Sequence, residues 1–185
     1  MTAIRQLSLL ALSLLLCTAL RAQLEVAHLF SKGQSATGFG AFLHVGVPVS
    51  DGDEIGGEVG LYYFAPGGYH MAFVPLLVSY RHTLDHSGAG FYVEPFAGYS
   101  FGATDIQKTD ASGNPLYDAS GNAIDQKLSG PTAGLGFGYI IPSASIPLNI
   151  GLRYEHVFVS GDPSPGVLSL RVSYSLSVGR KYTGH

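Results

Sequence analysis

From Leu24 onward the apolar residues of this chain recur at every second position, and no stretch sustains the 3.6-residue period of an amphipathic helix. A period of two puts successive side chains on opposite faces of extended backbone, so the chain is committed to strands. Eight runs read as strands: 24–30, 37–48, 54–64, 70–82, 89–102, 128–141, 147–159 and 166–179. In the last, Leu168, Leu170, Val172, Tyr174, Leu176 and Val178 point one way, and Ser169, Arg171, Ser173, Ser175 and Ser177 the other. The seventh sets Leu148, Ile150, Leu152, Tyr154 and Phe158 against Asn149, Gly151, Arg153 and Glu155. The sixth alternates Ala133, Leu135, Phe137 and Tyr139 with Gly134, Gly136 and Gly138.

Which face meets which solvent then decides the architecture. The water-facing side of a soluble sandwich carries Lys, Thr, Gln and Glu in quantity. Here the polar face holds Glu54, Glu58, Glu94, Arg153, Glu155 and Arg171 among serines and glycines, and Lys32, Lys108 and Lys127 fall in or beside loops. Glycine supplies 25 of 185 residues while charged residues reach only 12%. That distribution fits a barrel turned inside out, with hydrocarbon on the apolar face and a narrow polar interior. Strands of about ten tilted residues suffice to cross a bilayer. The expected fold is all-β: a closed, antiparallel, up-and-down transmembrane barrel of eight strands, with a secreted soluble β-protein as the alternative. Connections also sort by side. Those after strands two, four and six (49–53, 83–88, 142–146) are short, whereas the opposite edge carries the longest, 103–127, and the Pro-rich 160–166.

The N-terminus reads as an address. Arg5 forms a positive n-region, Leu9 to Cys17 an apolar h-region too short to span a bilayer, and Leu20-Arg21-Ala22 a cleavage site. Residues 1–22 are therefore expected to be a signal peptide and 23–185 the barrel. Cys17 suggests a lipoprotein anchor as a rival, which Leu16 fits poorly because a small residue is wanted there. Removal of Cys17 leaves an exported chain with no disulfide to stabilise it. With 10 Lys+Arg against 13 Asp+Glu the chain has no basic footprint, which argues against nucleic acid as a partner.

In its strand pattern, and in stretches such as Gly134-Leu-Gly-Phe-Gly-Tyr139 and Gly151-Leu-Arg-Tyr154, the chain resembles the small eight-stranded outer-membrane barrels of the OmpA/OmpX type, especially the family described as "outer membrane protein beta-barrel domain". The resemblance implies an outer-membrane location, with outer-membrane lipid and the barrel-assembly machinery as partners. Barrels of this group commonly end on an aromatic residue that the machinery reads. This chain ends Lys181-Tyr-Thr-Gly-His185, with Tyr182 on the outward parity of Tyr174.

An eight-stranded barrel has a bore just wide enough for side chains to fill. Glu58, Glu94, Arg153, Glu155 and Arg171 share the inward parity and are expected to form a salt-bridged plug, with at least one carboxylate bonded to Arg153 or Arg171 and Glu94 taken as the trial partner of Arg153. Gly134, Gly136 and Gly138 free space for Tyr92 and Phe96, and His44 reads as a hydrogen-bonded lumen residue. The alternative is an ion or solute path through the same network. His156, Ser160 and Glu155 make a weak candidate triad at the outer rim, loosely similar to outer-membrane lipid A deacylases but with the wrong spacing. His82, Asp85 and His86 read as a solvated turn. The long loop repeats Asp110-Ala-Ser-Gly-Asn114 as Asp118-Ala-Ser-Gly-Asn122. It reads as a hydrated hairpin extension, with Ca²⁺ binding by Asp105, Asp110, Asp118 and Asp125 as a weaker reading. No phosphate-cradling Gly loop is present, and no cofactor is expected.

Overall fold

The computed structural model of the protein describes residues 20–32, 34–86, 88–110, 112–142, 148–160 and 163–175. Eight strands follow in order: β1 (Leu20–Ser31), β2 (Gln34–Ser50), β3 (Asp53–Phe64), β4 (Met71–Thr83), β5 (Gly90–Thr104), β6 (Gly130–Ile141), β7 (Leu148–Val157) and β8 (Gly166–Ser175). Each pairs antiparallel with the next, and β8 pairs with β1, closing the sheet on itself and abolishing its edges. The fold is a closed up-and-down barrel, as the alternation requires. β1 starts at Leu20 rather than Leu24 because residues 20–23 continue the ladder against 45–42 of β2, and β2 starts at Gln34 rather than Thr37 because Ser31 pairs directly with Gln34. β7 stops at Val157, short of the expected Val159. Leu176 to Val178, read as the end of the last strand, lie outside the described residues.

The core of this barrel is inverted. Outward side chains are apolar and open: Leu24 is 69% exposed and Phe39 70%, values that water would punish and hydrocarbon would not. Tyr80, Phe91, Tyr139 and Tyr174 stand on the outward face near the end that holds the start of β1. Tyr63, Phe101, Tyr154 and Phe158 stand near the opposite end. Such paired aromatic girdles mark the two interfaces of a spanning barrel.

Inside, large side chains fit because glycines on neighbouring strands leave room for them. A Cβ added to Gly134 would come 2.2 Å from Phe96 Cζ, and one added to Gly56 would come 2.3 Å from His44 Cε1. The interior is layered along its axis. Arg21 and Glu54 lie near the mouth beside the β2–β3 and β4–β5 turns. A charge network fills the middle, and an apolar plug of Leu29, Phe64, Met71, Phe73, Ile106, Leu128, Val157 and Val167 closes the far end.

Candidate functional site: a charge network in the lumen

Arg171 on β8 is the hub. Its Nε donates to Glu25 Oε1 at 2.7 Å, and its Nη1 donates to Glu94 Oε1 at 3.0 Å and Glu58 Oε1 at 3.2 Å. Arg153 on β7 donates from Nη1 to Glu58 Oε2 at 2.5 Å and from Nη2 to Glu155 Oε2 at 3.4 Å. Arg81 on β4 donates from Nε to the second oxygen of Glu94 at 2.6 Å. His44 spans Glu58 Oε1 at 3.0 Å and Glu54 Oε1 at 3.1 Å. Glu54 in turn is clamped by both terminal nitrogens of Arg21.

Neutral donors complete the set. Tyr62 donates its hydroxyl to Glu25 Oε2 at 2.5 Å, and Ser169 donates to the same oxygen. Ser100 donates to Glu155 Oε1 at 3.1 Å and accepts from Thr132 at 2.8 Å. The guanidiniums of Arg153 and Arg81 also lie over aromatic rings, 3.8 Å from the Phe96 centroid and 4.6 Å from that of Tyr92.

Five carboxylates thus meet four guanidiniums and one imidazole, and every carboxylate oxygen accepts at least one hydrogen bond. On the donor side Arg153 Nε has no hydrogen-bond partner among the described residues, so the acceptors are fully matched and the donors nearly so, as buried ions require. With Thr132 on β6 included, the network draws on all eight strands across the bore.

Of the residues chosen from sequence, Glu58, Glu94, Arg153, Glu155 and Arg171 all meet here. Arg153 and Arg171 both bond carboxylates, but Glu94, the trial partner of Arg153, bonds Arg171 instead. Glu94, Gly136 and Arg153 share one register line across β5, β6 and β7, but Arg153 reaches over Phe96 to Glu58 on β3 while Glu94 turns to Arg81 and Arg171. Sequence reading missed Glu25, Arg81 and Tyr62. Glu25 follows the inward alternation Gln23-x-Glu25-x-Ala27 between exposed Leu24 and Val26. Arg81 was hidden because β4 is apolar on both faces, with Met71, Phe73 and Leu77 turned inward.

The other candidate sites do not assemble. Glu155 points into the lumen, whereas His156 lies on the opposite face of β7 between the Tyr154 and Phe158 rings, so the strand itself separates acid from base. Ser160 lies exposed in the connection after β7. His82 gives its Nδ1 to Asp53 Oδ1 at 2.7 Å, and its ring meets that of His86 with centroids 5.2 Å apart. Among the described residues no three His, Cys, Asp or Glu side chains converge as a metal site.

The tandem repeat forms two matching turns. Asp110 Oδ1 accepts from Ser112 N at 2.8 Å and Asn114 N at 2.9 Å, and Asp118 Oδ1 repeats both bonds with Ser120 and Asn122. These donors, Asn114 N and Asn122 N first, hold both carboxyls below the usual carboxylate range. Asp105 is used separately, accepting from His70 N at 2.7 Å. Asp110 and Asp118 are thus engaged by their own turns and Asp105 by a distant backbone amide, while Asp125 sits opposite Gln107 in the stem. A cyclic set of backbone bonds, Lys108 to Ile124, Ile124 to Leu116 and Leu116 to Lys108, joins the two hairpins and the stem in a three-cornered tip. Below it, Ile106 and Leu128 drop into the apolar plug.

No family model matches the chain, and no curated protein does. Solved structures do. Neisserial surface protein A is 17% identical with a TM-score of 0.52, over 84% of this chain and 95% of that one. Ail, the attachment invasion locus protein of Yersinia pestis, is 9% identical with a TM-score of 0.57 over the same shares. A second Ail structure, in complex with the heparin analogue sucrose octasulfate, gives 0.55.

Proposed function

We propose that this protein, which has the fold of the small eight-stranded outer-membrane barrels, is exported by a cleaved signal peptide and inserted in an outer membrane. There it acts as a filled scaffold that displays its outer connections. The apolar girdled exterior supports the location, with outer-membrane lipid as its solvent and the barrel-assembly machinery as its insertion partner. The observation that carries the scaffold reading is the double closure of the bore. A paired charge network fills its middle, and the apolar plug that includes Ile106 and Leu128 seals its outer end. A solute path needs an open lumen, and a lipid hydrolase needs a nucleophile beside a base at the rim. The charge network and the plug oppose the first. For the second, Ser35 Oγ does lie 2.9 Å from His28 Nε2 at the rim, but the other imidazole nitrogen meets Thr37 Oγ1 at 3.1 Å in place of an orienting carboxylate.

The displayed surface is the tip of 105–127, with four Asp against two Lys and with Tyr117 60% exposed. Its negative balance is unsuited to a polysulfated ligand of the kind bound to Ail, so that recognition is not carried over. The reading is tested by recording from the folded barrel in a planar bilayer. A silent bilayer is expected; a steady ohmic conductance would establish the channel reading instead.

A further inference from the structure

Leu20, Arg21 and Ala22 precede the cleavage point expected from sequence, yet each has a place in β1. Leu20 pairs with Val45, Arg21 with His44 on one side and Ser175 on the other, and Ala22 with Leu43 and Tyr174. Leu20 also lines an outward apolar groove with Leu43, Val45, Val59 and Val78.

Arg21 matters most. Its two terminal nitrogens grip both oxygens of Glu54, a residue 33 positions away. The barrel makes room for that carboxylate: a Cβ on Gly46 would lie 2.3 Å from Glu54 Cδ. Without Arg21, Glu54 keeps His44 and a 3.8 Å approach from Arg81, whose guanidinium is already committed to Glu94. Five lumen carboxylates would then face three guanidiniums and one imidazole. An under-compensated carboxylate near the mouth of a narrow bore is costly.

The recognition rule of the export peptidase points the same way. It requires small residues one and three positions before the cut. A cut after Ala22 puts Leu20 at the third position, whereas a cut after Ala19 puts Ala19 and Cys17 there, both small. We propose that water cleaves the Ala19–Leu20 peptide bond, leaving a carboxyl group on Ala19 and a free amino group on Leu20. The mature barrel then retains Arg21 as the partner of Glu54, and Cys17 serves as a peptidase specificity residue. This proposal rests on the export reading above.

The test is N-terminal sequencing and intact mass of the full chain expressed in a gram-negative host and recovered from the outer-membrane fraction. The expected species is residues 20–185. An outer-membrane species starting at Gln23, or one starting at an acylated Cys17, overturns this proposal and leaves export standing. A chain that keeps Met1 and is missing from the outer membrane overturns the export reading, and this proposal with it. Two variants give independent readouts. Ala19→Tyr should accumulate precursor, because the position is decisive for this cut and indifferent for one after Ala22; normal processing would contradict the proposal. Arg21→Met should lower the urea midpoint of the refolded mature protein, with part of the loss recovered by adding Glu54→Gln. An unchanged midpoint would show that Arg21 contributes nothing to the folded barrel.

Discussion

Arg153 joins two carboxylates that depend on it unequally. Glu58 also accepts from Arg171 and His44, whereas among the described residues Glu155 has Ser100 alone besides Arg153. Arg153→Met should therefore destabilise the barrel by about 3–5 kcal/mol, chiefly by stranding Glu155 in a dry interior. Adding Glu155→Gln should recover more of that loss than adding Glu58→Gln. Urea titration of the refolded protein in lipid vesicles checks the order, and equal rescue would show that the two carboxylates share the charge. The inward glycines make a second claim at this scale. Gly134→Ala places a Cβ 2.2 Å from both the Phe96 ring and the Tyr154 carbonyl oxygen, and one of these is backbone that cannot swing away. A loss of about 1–3 kcal/mol is expected from overpacking, read in the same titration.

At the scale of the strand, parity carries the prediction. Leu170 faces outward on β8 at 49% exposure, between buried Ser169 and Arg171. Leu170→Arg should cost about 2–4 kcal/mol of folding free energy in a bilayer. In detergent, where the chain can bury the new charge in a water-rich interface, the cost should shrink. Equal penalties in the two media would argue against lipid contact. The hairpin tip answers to pH instead. Both Asp110 and Asp118 have carboxyl groups held below their ordinary value, so the turns draw stability from ionisation at pH values above about 3.9 and lose it as pH falls further, through the lowered folded value. Amide-exchange protection at Ser112, Asn114, Ser120 and Asn122, measured against the intrinsic rate at each pH, should hold from neutral pH to the ordinary carboxylate value and fall below it.

The strands show how far the sequence could be read. β5 to β8 alternate cleanly, and their inward charges were legible one by one. β4 was not, because Met71, Phe73 and Leu77 line the plug and erase the contrast between faces. Partners across the bore were also illegible. Strand stagger and side-chain reach decide which residues share a level, and Arg153 passes Glu94 for Glu58 on those grounds alone. The repeat announced its turns, but its closure by the 108, 116 and 124 backbone depends on hydrogen bonds that no residue type dictates.

For the whole molecule, the two solvents are separated by one rule: outward means hydrocarbon and inward means protein. The chain contains no Trp, so a single introduced indole reports on its own position without background. Three outward sites, Leu43, Leu76 and Leu152, and one inward site in the plug, Phe73, sample both faces. The decisive measurement is the fluorescence of Leu43→Trp, Leu76→Trp, Leu152→Trp and Phe73→Trp, each refolded in vesicles, against brominated acyl chains and aqueous acrylamide. A filled transmembrane barrel predicts strong bromine quenching at the three outward sites and weak quenching by either agent at Phe73→Trp. Acrylamide quenching of the outward indoles would contradict the lipid-facing exterior, and acrylamide quenching at Phe73→Trp would contradict the sealed lumen.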